Sequence, residues 1–186
     1  MYKRSFFLIL ILLTFFCQLK AQQISRAGTP AIAHLDLTSS AFQNGAAIPK
    51  RFTCQGSNVS PGLAWTGVTA KIKSLALVCE DPDAPNGTFV HWVIYNISPT
   101  EQGLAGSFPT IDPLPNGVRQ GKNGADKVGY MGPCPPAGKI HHYHFTLYGL
   151  NEKLSLTGEV DRDRLISIIN GHIIAEGELI GTYIRQ

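Results

Sequence analysis

Apolar and polar positions along the chain form short runs, most of them with period two, and this pattern predicts a mainly β protein. Ile32–Ser39 alternates loosely and reads as a strand, and Leu63–Trp65 as a short one. Lys71–Glu80 is mostly apolar, so it belongs in the middle of a sheet with both faces covered. Thr88–Ile97 is rich in β-branched and aromatic residues, the side chains that fit a pleated surface. His141–Leu150 is a third long strand, and Leu179–Ile184 a short last one. One segment has helical spacing: Leu165, Ile168, Ile169, His172 and Ile173 within Asp161–Glu176. Asp161 is placed to cap that helix and Gly171 to break it. Between these elements, Asn44–Ser60 is turn-rich, and Asp81–Gly87 is a loop with two prolines. Ser98–Gly129 is irregular throughout, and an ordered connection of that length usually carries function. The sum predicts a single antiparallel, sandwich-like β domain with one C-terminal helix and no internal repeat or linker.

The first 21 residues stand apart from this pattern. Lys3 and Arg4 precede an apolar run over Ser5–Phe16, and Leu19-Lys20-Ala21 ends on a small residue. That order of positive start, apolar core and small end reads as a secretory signal cleaved after Ala21, leaving a domain over residues 22–186. Lipoprotein processing at Cys17 is the rival, but bulky Phe16 precedes that cysteine. The expected compartment is periplasmic or extracellular. No later apolar run approaches the ~18 residues a membrane helix needs, so no span is expected after cleavage.

Cleavage also changes the charge. The chain carries 16 Lys+Arg and 13 Asp+Glu, and Lys3, Arg4 and Lys20 leave with the signal, which brings the formal balance to zero. A neutral domain lacks the broad basic surface that nucleic acid or an anionic membrane would attract. Disorder is excluded by a 44% hydrophobic content, while 19 glycines and 12 prolines indicate many turns.

Export into an oxidising compartment opens the cysteines to pairing. Cys54, Cys79 and Cys134 remain, an odd count that allows one bridge and one free thiol. Cys79 ends an apolar run and is expected to pack as a small hydrophobe. Cys54 and Cys134 lie in Gly/Pro-rich loops and are the better candidates if any pair is bridged, with three free thiols as the other outcome.

Three segments could carry chemistry. Asp81-Pro82-Asp83-Ala84-Pro85 is stiffened by two prolines, so its carboxylates point in set directions, either toward a ligand or back to their own backbone. Gly132-Pro133-Cys134-Pro135-Pro136 is a second stiff loop with little side-chain cover, suited to a pocket wall or to a plain surface turn. His141-His142-Tyr143-His144 begins a strand, so His141 and Tyr143 share one face and His142 and His144 the other. His142 and His144 have the spacing of strand-borne zinc ligands, but a metal needs a third ligand that nothing nearby supplies. The alternative for that pair is a half-exposed strand face. His91 lies on the strand that follows the first loop. Two acids, two imidazoles and a phenol could hold a small anion such as a phosphate ester. The chain has no GxSxG elbow, HExxH or phosphate-binding glycine loop.

Taken in order, these pieces resemble the phosphatidylethanolamine-binding protein family, in its bacterial Raf-kinase-inhibitor-like branch. The matching segments are Thr53–Pro61, Asp81–Pro85, His91-Trp92-Val93, Gly132–Pro136, His141–Tyr143, Gly171-His172 and Gly181-Thr182-Tyr183. They cover nearly all of the chain after the signal. Two departures stand out: His142 occupies the position where the family usually has Arg, and Glu80 precedes the first acid of the loop. The resemblance implies a β-sandwich-like fold with an anion pocket at one end, non-covalent binding of phosphorylated headgroups or similar anions, and no cofactor or catalysis. Its pocket residues fall on Asp81, Asp83, His91, Pro135, His141 and Tyr143, with Gly132 and Cys134 lining the second loop. It also places Cys54 and Cys134 around one pocket, which makes that pair the expected disulfide. The expected partner is thus a small anionic, phosphorylated ligand, with no nucleic acid. A protein partner of unknown identity and a homodimer stay open. The alternatives are a protease-inhibitor or interaction module with a vestigial pocket, and a metal-dependent hydrolase using the histidine cluster.

Overall fold

The computed structural model describes residues 31–186, so the expected signal over Met1–Ala21, and Cys17 with it, lies outside the described residues. Nine strands and one helix follow in order: β1 (Ala33–His34), β2 (Asp36–Ser39), β3 (Leu63–Thr66), β4 (Ser74–Asp81), β5 (Phe89–Ile97), β6 (Gly103–Leu104), β7 (Arg119–Gln120), β8 (Ile140–Leu150), α1 (Arg162–Ile169) and β9 (Ile173–Ile184). They build a six-stranded sheet in the order β1-β9-β8-β4-β5-β7 and a three-stranded sheet in the order β2-β3-β6. All pairings are antiparallel except β1 with β9.

The central position of β4 follows from its composition. Seven of its eight residues are buried, because β5 and β8 flank it and both of its faces are covered. Leu75, Leu77 and Cys79 face one core with Trp65, Trp92, Tyr143 and Phe145, between the two sheets. Ala76 and Val78 face a second core with Leu165 and Ile169 of the helix. The domain is therefore two sheets and a helix in three layers, each apolar face matched by another element.

Three predicted elements differ from the structure. The strand expected over residues 32–39 is two strands, because the chain changes sheets at fully buried Leu35: β1 joins β9 and β2 joins β3. The helix expected over Asp161–Glu176 with a break at Gly171 ends at Ile169, with Asn170 as its C-cap just before that glycine, and Ile173 and the residues after it belong to β9. Its start is as expected, with the Asp161 side chain accepting from the Arg164 N–H at 2.9 Å. The last strand is long rather than short. Ala175, Gly177, Leu179, Gly181 and Tyr183 turn inward with period two, but the glycines hide the alternation. At Gly177 a Cβ would fall on the carbonyl of Leu35, so the close passage of the chain at Leu35, where it changes sheets, requires glycine there.

The long segment 98–129 is ordered by side chains bonded to backbone. Gln120 donates to the carbonyls of Pro109 and Ile111 and accepts from the Trp92 indole at 2.7 Å. Arg119 grips Asp112 through two hydrogen bonds of 2.8 Å.

Candidate functional site

The inward-facing ends of β4, β5 and β8 bring Asp81, His91, His141 and Tyr143 together, and all four are buried. Asp81 is the last residue of β4 rather than a loop residue, so the strand itself fixes its direction. Its Oδ2 lies 2.7 Å from Nδ1 of His141, and its Oδ1 accepts the Asp83 backbone N–H at 2.9 Å. His91 packs edge-on against Tyr143, with ring centroids 5.1 Å apart, and Phe89 covers it from another side at 4.9 Å.

Two atoms in this group are buried and have no hydrogen-bond partner: Nε2 of His141 and the hydroxyl of Tyr143. The hydroxyl lies against the Asp81 carboxylate without a well-directed hydrogen bond to it. Buried polar atoms are nearly always paired in folded proteins, because an unpaired one costs ~1–3 kcal/mol. Two such atoms in one buried polar cluster mark a place built for something the chain does not itself supply. Burial first, and then the nearby Asp81 charge, push the Tyr143 phenol far above its ordinary pKa, so it is a permanent O–H donor.

His91 is held by residue 131. Its Nδ1 lies 2.6 Å from the Met131 carbonyl, and its own carbonyl accepts the Met131 N–H at 2.9 Å. Burial lowers its pKa, outweighing the upward pull of the Met131 carbonyl and of Asp81. The Gly132–Pro136 loop begins at this anchor and is clamped onto residues 52–58. Asn58 accepts the Gly132 N–H at 2.8 Å, Cys54 donates its N–H to the Pro133 carbonyl at 3.0 Å, and Tyr130 donates its hydroxyl to the Phe52 carbonyl at 2.9 Å. Cys54 and Cys134 are joined in a disulfide with Cα atoms 5.4 Å apart, while Cys79 is a buried free thiol. Met131, Asn58 and Tyr130 hold the site in place, and none stood out from sequence. Asn58 lies inside the family-like segment Thr53–Pro61, which was the available signal.

The other expected pocket residues, Asp83, Gly132, Cys134 and Pro135, lie on the two loops. Gly132 is a packing residue: a Cβ there would strike the Phe52 carbonyl oxygen, and its N–H is already given to Asn58. Cys134 is exposed and Pro135 buried on the same loop. Asp83 turns to the rim, where its Oδ2 accepts both the backbone N–H of His142 at 2.9 Å and its ring Nδ1 at 2.7 Å. These bonds lower the Asp83 pKa, the ring bond most. His144 on the same outer face pairs with Glu178 at 2.8 Å. Among the described residues no group of three or more His, Cys, Asp or Glu is placed to hold a metal ion.

A cleft of about 550 Å³ lies on the opposite face of β4, lined by Glu80, Lys122, Asp126, Glu159 and Arg162 among others. Its basic groups are spent on its own acids: Lys122 on Asp126 and Glu159, Arg162 on Glu80 and Asp163. Two buried atoms there, Glu80 Oε1 and Arg162 Nε, also lack a well-directed hydrogen bond, but they lie 2.8 Å apart and form an ion pair with each other. Among the described residues no helix is long and apolar enough to cross a membrane.

Comparison with known proteins identifies the family and the fold. The family model described as Phosphatidylethanolamine-binding protein matches residues 38–184. A UPF0098 protein of Methanothermobacter thermautotrophicus is 44% identical over 151 residues, which span 81% of this chain and 99% of that protein. Among solved structures, a phosphatidylethanolamine-binding protein homologue of Chlamydia trachomatis is 40% identical with a TM-score of 0.74, covering 84% of this chain and 100% of its own. YBCL of E. coli, described as a member of the mammalian family, is 32% identical with a TM-score of 0.76, covering 83% and 100%.

Proposed function

The chain belongs to the phosphatidylethanolamine-binding protein family, a family of ligand binders, and on that premise we propose that the Asp81–His91–His141–Tyr143 pocket binds a small phosphorylated anion without chemical change. The observation that carries this reading is the pair of buried, unpartnered atoms, His141 Nε2 and the Tyr143 hydroxyl. Their neighbours suit an anion. Asp81 orients the His141 ring and balances a positive charge on it, while the disulfide-tied loop holds the opposite wall. The site residues include no metal cluster and no activated nucleophile. The thiol nearest the site, Cys79, is buried and pushed far above its ordinary pKa by desolvation, so it is inert.

We further propose that the protein acts outside the cytoplasm, in the periplasm or after secretion. The pattern of Met1–Ala21 and the exposed Cys54–Cys134 bridge both support this.

Calorimetric titration of inorganic phosphate into the purified protein tests the pocket. His91→Ala and His141→Ala should each weaken binding by about tenfold or more, the loss expected for one charge-assisted hydrogen bond, and should leave the fold intact by circular dichroism. Unchanged affinity in both variants would remove the reading.

A further inference from the structure

Resting on the anion-pocket reading, we infer that the pocket selects phosphate groups that still carry an acid O–H, inorganic phosphate and phosphomonoesters, over phosphodiesters, because the free edge of His91 is a hydrogen-bond acceptor. The Met131 carbonyl can only accept, so its 2.6 Å contact places a proton on His91 Nδ1. A neutral imidazole protonated at Nδ1 presents a bare lone pair at Nε2. The ring is 4% exposed, with Phe89 and Tyr143 packed on it, and so compact an apolar cover disfavours a second proton. The titratable groups facing it are Asp81 on β4 and His141 and Tyr143 on β8. Of these Asp81 favours the charged ring and His141 opposes it, and burial outweighs both.

The other two ligand atoms complete the pattern. The Tyr143 hydroxyl is a fixed donor. His141 gives its Nδ1 proton to Asp81, so its Nε2 accepts when the ring is neutral and donates when it holds a second proton. A phosphodiester has acceptors only on its two free oxygens. At His91 it would set lone pair against lone pair beside a side chain that is almost wholly buried. A phosphate monoanion carries one O–H, which can be given to His91 Nε2 while a second oxygen accepts from Tyr143 and, when the His141 ring holds its second proton, a third accepts from His141. Since the second phosphate pKa is about 6, a monoester that binds as the monoanion at pH 7–8 takes up a proton. Its affinity should therefore rise as the pH falls toward 6.

Two probes with one headgroup separate the free-phosphate source from the lipid-headgroup source: O-phosphoethanolamine, a monoester, and glycerophosphoethanolamine, a diester. Each is titrated into the purified protein by calorimetry at pH 6, 7 and 8, in buffers of different ionisation heat. We expect the monoester to bind at least about tenfold more tightly at pH 7, the ratio set by one mismatched hydrogen bond, with net proton uptake at pH 8. His91→Gln puts an amide donor at the same edge and should narrow the difference. Equal binding of both probes, with no proton uptake, overturns the selectivity and leaves the anion pocket standing. No binding of either probe or of inorganic phosphate overturns both.

Discussion

Nδ1 of His141 and Oδ2 of Asp81 lie 2.7 Å apart with the two side chains only 1% and 4% exposed, so each is the other's main polar partner in the core. Removing one member strands the other. Asp81→Ala should destabilise the domain by about 3–5 kcal/mol, the usual result of breaking a buried charged pair from one side. Asp81→Asn keeps an acceptor oxygen and should lose about half as much. Urea unfolding at pH 7 measures both. A loss under about 1 kcal/mol for the alanine variant would show that the pair contributes little.

Asp83 and His142 form the weaker, outer version of the same contact, at 2.7 Å but with side chains 37% and 50% exposed. The ring bond holds the Asp83 carboxyl below its ordinary pKa. A lowered folded-state value means that the bond adds stability above the unfolded value of about 3.9, and that this stability fades as the pH falls through the folded value. Solvent screening limits the gain to about 0.5 kcal/mol. Wild type should exceed Asp83→Asn by that amount at pH 6–7, and the two unfolding curves should converge below about pH 4. A difference that persists to pH 3 would place the effect in packing.

Much of the fold was legible because its main strands carry plain signals. β4 is an apolar run, β5 is β-branched and aromatic, and β8 alternates His141, Tyr143 and Phe145 inward. What was hidden depends on contacts distant in sequence. Gly177 and Gly181 in β9 carry no apolar side chain to show the alternation, and they are small because Leu35 and Ile48 pass over them. The site divided the same way. Asp81, His91, His141 and Tyr143 are visible as polar residues on strong strands. The roles of Met131 and Asn58 are not, because each acts on a residue 40 or more positions away, Met131 through its own carbonyl on His91 and Asn58 through its side chain on the Gly132 N–H. Gly132 was expected as pocket lining, and its second part, seating the loop on residues 52–53, depends on the distant Phe52 carbonyl and could not be read from sequence.

The Cys54–Cys134 bridge closes a loop over a separation of 80 residues and ties the Gly132–Pro136 wall to the start of the domain. Chain entropy gives such a crosslink up to about 4 kcal/mol. The double variant Cys54→Ser/Cys134→Ser should lose ~2–4 kcal/mol in denaturant unfolding, and should bind phosphate more weakly because the wall moves more freely. Thiol titration of the protein in denaturant without reductant, on the chain cleaved after Ala21, should find one free thiol, Cys79. Three free thiols would show that the bridge does not form in the protein as its host makes it.

Tyr143 separates stability from binding. Its ring is fully buried in the core between the sheets, but its hydroxyl has no partner there. Tyr143→Phe keeps the ring contacts with His91 and deletes only the oxygen. In a fold without ligand that oxygen is a cost, since its desolvation is not repaid by a hydrogen bond. The variant should therefore be as stable as wild type, or more stable by up to about 1 kcal/mol, whereas losing a working buried hydrogen bond would cost ~0.5–1.5 kcal/mol. Phosphate binding should fall about tenfold, because the one donor whose proton never leaves is gone. Unfolding in urea with and without saturating phosphate gives both quantities from one set of samples. The variant should show a smaller phosphate-induced rise in midpoint at the same ligand concentration, because ligand stabilisation follows the dissociation constant. If Tyr143→Phe instead loses stability without ligand and keeps the full phosphate effect, the hydroxyl is a structural bond to Asp81 and not part of the ligand site.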